Sequence, residues 1–232
     1  MSATPARKRG RPVRLTREAV VDTALRLLAD TGQDGFSMRG LADELGVSTA
    51  AVYHHFPTKA ALFIAVLSAR AEELRRPDLP ADPRERLIAI IVHLIETLHR
   101  LPWVIDLLVA GESYGRAAMW ILDEFIRAAN ELGATDEYAG YMYNVTWRYT
   151  LGELMVRRAE DERAAAAAAG NPRPRWTDGA PGMLTEFPAV TRTLDRWPAI
   201  RADYRTERAV TDLIDGLTQK IPPDARHGIV SE

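Results

Sequence analysis

The stretch from Phe36 to Phe63, FSMRGLADELGVSTAAVYHHFPTKAALF, constrains this chain more than any other. Met38, Leu41, Ala42 and Leu45 recur at helical spacing and form one apolar stripe. Ser37 is placed to cap the start of that helix, and Gly46 stands where a left-handed residue would end it. Val47 then precedes Ser48, a good N-cap, and Val52 lies four positions into the next helix. The two valines make a hydrophobic staple, which sets the angle at which the second helix leaves the turn. That helix, Thr49 to His55, is too short to hold itself together, so its neighbours must hold it. Its outer face carries small and polar side chains, left to meet something else. Two short helices joined by a glycine turn, the second presented outward, make a helix-turn-helix.

Over roughly Leu15 to Leu67 the residues resemble the DNA-binding domain of the TetR family of transcriptional regulators. The resemblance is carried, in order, by Gly32, Met38 to Ser48, Tyr53, His55, Phe56 and Lys59. It implies, position by position, that Arg39 reaches a major-groove base, where arginine pairs bidentately with guanine. Thr49 and Ala50 are implied to touch base edges or a thymine methyl. Ser48, Tyr53, His55 and Lys59 are implied to grip phosphates, while His54 packs or touches sugar. Without nucleic acid, the same residues would read as a three-helix packing unit.

Charge supports the first reading. From Met1 to Leu62 there are 9 Lys/Arg against 6 Asp/Glu, whereas the remainder carries 21 against 26. A basic front on an acidic body suits a nucleic-acid-binding module joined to something that is not one. Residues 1–14 form an arm with five basic residues, no acid and nothing to bury, so it is expected to be disordered when free. Within it Arg9-Gly10-Arg11-Pro12 has the form of an extended arginine pair that fits a narrow minor groove. The alternative is a solvated tail attracted to phosphates without specificity.

The 232 residues suffice for a substantial core, and 47% hydrophobic with 27% charged residues is an ordinary globular balance. With no cysteine, disulfides, thiolate metal sites and a cysteine nucleophile are excluded. No apolar run is long enough to span a bilayer, and a cytoplasmic location is expected. The expected fold is all-α. A helix-turn-helix domain at 15–62 follows the arm, then a helical effector-binding and dimerisation domain at 63–222 and a flexible tail at 223–232. Thr16 and Thr58 are candidate caps for helices one and four, and Asp30-Thr31-Gly32 is expected to stop helix one. A helix from Asp82-Pro83 is apolar nearly all round from Leu87 to Leu98, which predicts a central position. Helices are also predicted over about 116–132, from 136 through the alanine run 164–169, over 183–197 and over 202–220.

Some patterns in the body imitate chemistry. Gly111-Glu112-Ser113-Tyr114-Gly115 satisfies G-x-S-x-G, but a nucleophile elbow needs a strand before the serine, and none is predicted. His93, Glu96 and His99 lie at i, i+3 and i+6, and Glu96-x-x-His99 matches half of a di-iron site without the second E-x-x-H and further glutamates such a site needs. No catalytic residue, metal or cofactor is therefore assigned. A bundle enzyme using His93, Glu96 and His99 stays as an alternative, as does a constitutive architectural DNA-binding protein. Aromatic and polar residues within apolar helices suggest instead a ligand cavity. Tyr143 and Trp147 share a helix face, His99 and Trp103 straddle a proline-broken junction, Trp120 closes the site, and Asn144 or His99 would orient the ligand.

The body also resembles, more loosely, the tetracycline-repressor-type C-terminal domain around Leu101-Pro102-Trp103 and the tyrosine-rich helix. The resemblance implies a homodimer through two late helices of each subunit, here 136–169 and 202–220, with Val210, Leu213, Ile214 and Leu217 as an apolar face. It further implies a repressor of a double-stranded DNA operator, released by a small-molecule effector.

Overall fold

The computed structural model describes residues 15–73, 76–109, 116–174, 186–194 and 196–221, which form eleven α-helices. The expectations for Arg9 and Arg11 in the arm, for the Gly111–Gly115 run and for the tail lie outside the described residues. Helix α1 (Arg17–Gly35) starts with Thr16 Oγ1 accepting the Ala19 amide at 3.2 Å, and buries Val20, Ala24 and Leu28 completely. Its backbone breaks at Gly32 (φ 68°, ψ −176°), where the stop was expected, although helical turns resume as far as Gly35. α2 (Met38–Leu45) and α3 (Thr49–His55) follow, then α4 (Lys59–Glu73), capped by the Thr58 hydroxyl on the Ala61 amide at 3.0 Å.

α5 (Pro83–His99) opens with Pro83 in its first turn and Asp82 Oδ1 accepting the Glu85 amide at 2.9 Å, so backbone donors left over at a helix start are met by a side chain. Leu87, Ile90, Ile91 and Ile95 are almost wholly buried on it. α7 (Met119–Glu131), α8 (Asp136–Ala168) and α11 (Thr206–Thr218) pack round α5, which takes the central place its all-round apolarity predicts. α6 (Pro102–Val109) turns 112° away from α5, and a 3-10 turn at 116–118 leads into α7. The reading unit rests on the body where α1 packs on α6 and α4 on that 3-10 turn. One continuous set of buried apolar side chains runs through both. No single helix among the described residues is long and apolar enough to cross a membrane.

The structure corrects two expectations. Among its described residues the segment predicted over 183–197 is helical as α9 (Pro188–Leu194), and at its last residue α10 (Trp197–Ala202) starts anew with Pro198 in its first turn. A proline is favourable in a first turn and hostile further in, so the chain restarts there. The apolar face of α11 is also not free for a partner. Val210, Ile214 and Leu217 are buried within the protomer, where α11 packs on α5 and α8. Arg84 of α5 clamps the same helix, with Nε and Nη2 donating to the two carboxylate oxygens of Asp215 at 2.6 and 2.8 Å. The large apolar side chains left exposed on the late helices include Tyr141, Met155 and Val156 of α8.

Candidate nucleic-acid interface and ligand cavity

Local chemistry builds the reading unit. Ser37 Oγ accepts the Gly40 amide at 3.0 Å and starts α2. Gly46 ends it at φ 67°, ψ 30°, and the Val47 amide closes onto the Ala42 carbonyl at 3.0 Å. A Cβ on Gly46 would meet nothing within 4 Å, so glycine is required there by backbone angle alone. Ser48 Oγ then accepts the Ala51 amide at 3.2 Å and opens α3, whose Val52 is completely buried. Ser48, Ala50, Tyr53 and His54 are exposed, while Thr49 and His55 are half-buried. The Arg39 side chain is 86% exposed and only 4.0 Å from Asp43 across one helical turn, so little holds it back.

Lys59 sits differently from the rest. Its ammonium donates to the Phe36 carbonyl at 3.2 Å and lies 5.5 and 5.0 Å from the ring centroids of Phe36 and Phe63. It therefore fastens the start of α4 to the segment entering α2, with two of its three N–H donors left for other partners. Arg17 does similar work and was not foreseen. Its Nη1 donates to the His55 carbonyl at 2.9 Å, and its guanidinium lies 4.0 Å from the Phe56 ring centroid, tying the end of α3 to the start of α1. Nothing near Arg17 in sequence signals a contact 38 residues away.

In the body, a cavity of about 90 Å³ is walled by α4, α5, α6, α7 and α8. Leu67, Arg70 and Ala71 of α4 form one wall and His93, Leu94, Thr97 and Leu98 of α5 another. Trp120, Tyr143 and Trp147 also line it. The other three expected lining residues do not, and helix rotation explains each. On α6 the cavity face is Val104 and Leu108, so Trp103, about 100° round the helix, is buried elsewhere in the core. Asn144 follows Tyr143 by one residue, faces outward and accepts from Arg148 Nε at 3.0 Å. His99 points away from the face of Thr97 and Leu98, and its Nε2 lies 2.8 Å from Asp161 Oδ2 of α8.

Sequence reasoning passed over Thr97 in an apolar run and did not carry His93 into the final set of lining residues. The Thr97 hydroxyl is buried with no hydrogen-bond partner among the described residues. Leaving such a group unpaired costs about 1–3 kcal/mol, so its presence in the wall calls for a reason. One helical turn earlier, the His93 ring lies 6.3 Å from that of Trp120. Burial pushes its imidazole below the ordinary value of 6.5, with the Arg100 charge acting in the same sense, so His93 is neutral near pH 7. His93, Glu96 and His99 diverge: His93 lines the cavity, Glu96 accepts from Arg157 at 2.9 Å, and His99 meets Asp161. Among the described residues no group of three metal-ligating side chains is placed to hold an ion.

Two family models match the chain: Bacterial regulatory proteins, tetR family, over residues 20–66, and Tetracyclin repressor-like, C-terminal domain, over residues 76–221. Tetracycline repressor protein class C of Escherichia coli is 50% identical over 56 residues, covering 24% of this chain and 26% of that protein. Several other curated relatives are likewise matched over less than half of their own length. Among solved structures, the Streptomyces coelicolor TetR family protein ActR in complex with actinorhodin gives a TM-score of 0.71 at 22% identity, covering 91% of this chain and 99% of that one. BioQ with its natural double-stranded DNA operator gives 0.59 at 20% identity, covering 89% and 99%. Likeness at these identities establishes the fold.

Proposed function

The chain belongs to the tetR family of bacterial regulatory proteins, and from that premise we propose that it is a ligand-responsive repressor. In this reading it binds a palindromic operator as a homodimer and is released by a small effector. Arg39, Thr49 and Ala50 read bases, Ser48, Tyr53, His54, His55 and Lys59 hold the backbone, and the two α3 helices enter major grooves about one helical turn apart. The relatives' names lend support, since one is a tetracycline repressor and another was solved on its DNA operator.

The observation that carries the reading is the double duty of α4. Its first residue, Lys59, holds the Phe36 carbonyl of the reading unit, and Leu67, Arg70 and Ala71 further along form a cavity wall. Lys59 and Leu67 are about 12 Å apart along the helix axis. The cavity, at about 90 Å³, is smaller than the roughly 150 Å³ that holds benzene, and it is open on one side, so an occupant either pushes a wall outward or protrudes. A wall that moves on α4 moves the reader's brace with it. A coupling of about 1–3 kcal/mol suffices for roughly 5–150-fold release. A constitutive DNA-binding protein has no use for a cavity edged by an unpaired hydroxyl, which favours the ligand-responsive reading. For the dimer, Tyr141 and Met155, fourteen residues apart and so on one face of α8, offer an exposed surface to a second copy.

Selection of bound fragments from a random DNA pool, followed by a screen for compounds that release the selected fragment, tests the proposal. Inverted repeats and at least one releasing compound are expected. A selected site without two-fold symmetry, or no selection at all, contradicts the repressor reading.

A further inference from the structure

We propose that the compound held in this cavity is an uncharged aromatic bearing a ring hydroxyl, which the side chains of Thr97 and His93 hold together. The inference rests on the effector reading above and names the ligand class for that site. Thr97 and His93 are one turn apart on α5 and both line the cavity, so the two side chains share one stretch of its wall. Thr97 is 4% exposed and its hydroxyl has no partner among the described residues. A buried helical threonine ordinarily satisfies itself by bonding back to its own helix. Thr146 of α8 does so, with Oγ1 donating towards the Met142 and Tyr143 carbonyls at 3.1 and 2.9 Å. Thr97 does not, so its hydroxyl, buried just behind the cavity wall, is left for an occupant that moves that wall.

The remaining wall says what that occupant is. Trp120, Tyr143 and Trp147 supply ring faces and edges, and the other lining residues are almost all aliphatic. Among the described residues no aspartate or glutamate lines the cavity, so those residues offer a cationic ligand no counter-charge. Arg70 reaches the wall from α4 but is already engaged, so a carboxylate would have to compete for it, and His93, kept neutral by burial, offers it no charge. A phenolic hydroxyl meets both polar groups at once. Its oxygen accepts the Thr97 proton while its own proton goes to the free ring nitrogen of His93. The small volume favours a single ring or a narrow ring system that enters edge first.

The test is calorimetric titration of the full chain with p-cresol, p-xylene and p-toluate, which share a ring and a methyl group and differ in the polar end. p-Cresol should bind about tenfold or more tighter than either of the others, the margin expected of one or two neutral hydrogen bonds. Thr97→Val should erase that margin while leaving p-xylene binding unchanged. Thr150→Val, at a second unpartnered buried hydroxyl that does not line the cavity, should leave all three unchanged. Because valine fills the same volume, Thr97→Val should melt no lower than the parent chain. A lower melting point means the hydroxyl has a structural bond, and that overturns the proposal. Tightest binding by p-toluate, no binding of p-cresol, or a margin that survives Thr97→Val overturns it as well. Release of the selected DNA by a compound of another class would then leave the repressor reading standing without this ligand class.

Discussion

Lys59→Met removes an ammonium and keeps an aliphatic stem of similar length, so it isolates what the charge does. In the structure that charge donates to the Phe36 carbonyl at 3.2 Å and faces the Phe36 and Phe63 rings at 5.5 and 5.0 Å. A hydrogen bond from a charged donor contributes about 1.5–3 kcal/mol, and a cation over a ring at a partly exposed site adds about 0.5–1. Lys59 is half-buried, and methionine packs well against aromatic edges, so solvent screening and the new contacts offset part of the loss. A net destabilisation of about 2 kcal/mol remains, or about 4–8 °C in melting temperature for a chain of this size. Thermal unfolding followed by calorimetry and by circular dichroism measures it. A variant that melts with the parent chain refutes the bracing role. The same variant reports on DNA through the salt dependence of binding to a selected fragment. If the two remaining N–H donors reach a phosphate, the slope falls by about one unit. An unchanged slope beside lowered stability assigns Lys59 to architecture alone.

Three further outcomes follow from the geometry. Arg39→Ala, at a side chain with little to hold it, should cost about 1–3 kcal/mol of specific binding and relax preference at one base pair per half-site; equal weakening on every sequence would make Arg39 a phosphate contact. Gly46→Ala should destabilise the chain by about 1–2 kcal/mol through its left-handed backbone alone, since a Cβ meets nothing within 4 Å, and a larger loss in urea unfolding would show a clash that the structure lacks. His93 has a folded pKa below its ordinary 6.5, so the unfolded chain takes up this proton first and stability falls as pH drops below that value. His93→Gln should flatten that part of the stability–pH curve, and an identical curve would show that burial does not hold the imidazole neutral.

The features that could be read from sequence are those set by a few adjacent residues. Ser37, Ser48, Thr58 and Asp82 each cap the helix that follows, because a cap bond spans three residues and depends on little else. The central place of α5 was equally legible, since an all-round apolar helix has nowhere else to go. What failed was rotation about a helix axis once several faces are apolar. His99, Trp103 and Asn144 each lie within two residues of a lining position, yet about 100° per residue carries them off the wall. The α11 face is a related case, since Val210, Ile214 and Leu217 of its apolar stripe are already buried within the protomer, where α11 packs on α5 and α8. Period alone does not say which neighbour a stripe will meet. Nor could sequence show the network joining α8 to the segment before α11. There the Tyr204 hydroxyl donates to Glu153 at 2.8 Å, Arg157 spans Glu96, Glu153 and Thr206, and burial with the neighbouring Tyr149 and Glu153 raises the Tyr204 pKa. Those contacts join residues 49 or more positions apart, apart from the pair within α8.

The central claim is that a ligand between α4, α5, α7 and α8 is felt at the DNA. It is tested most directly by titrating a complex of the selected operator fragment with the compound found in the release screen, using the parent chain and Trp147→Ala side by side. Trp147 lines the cavity from α8 and lies far in sequence from every residue assigned to DNA. The account predicts that Trp147→Ala binds the operator as the parent chain does and no longer lets go when the compound is added. Release at the same compound concentration, or loss of operator binding in a variant that remains folded, would contradict it.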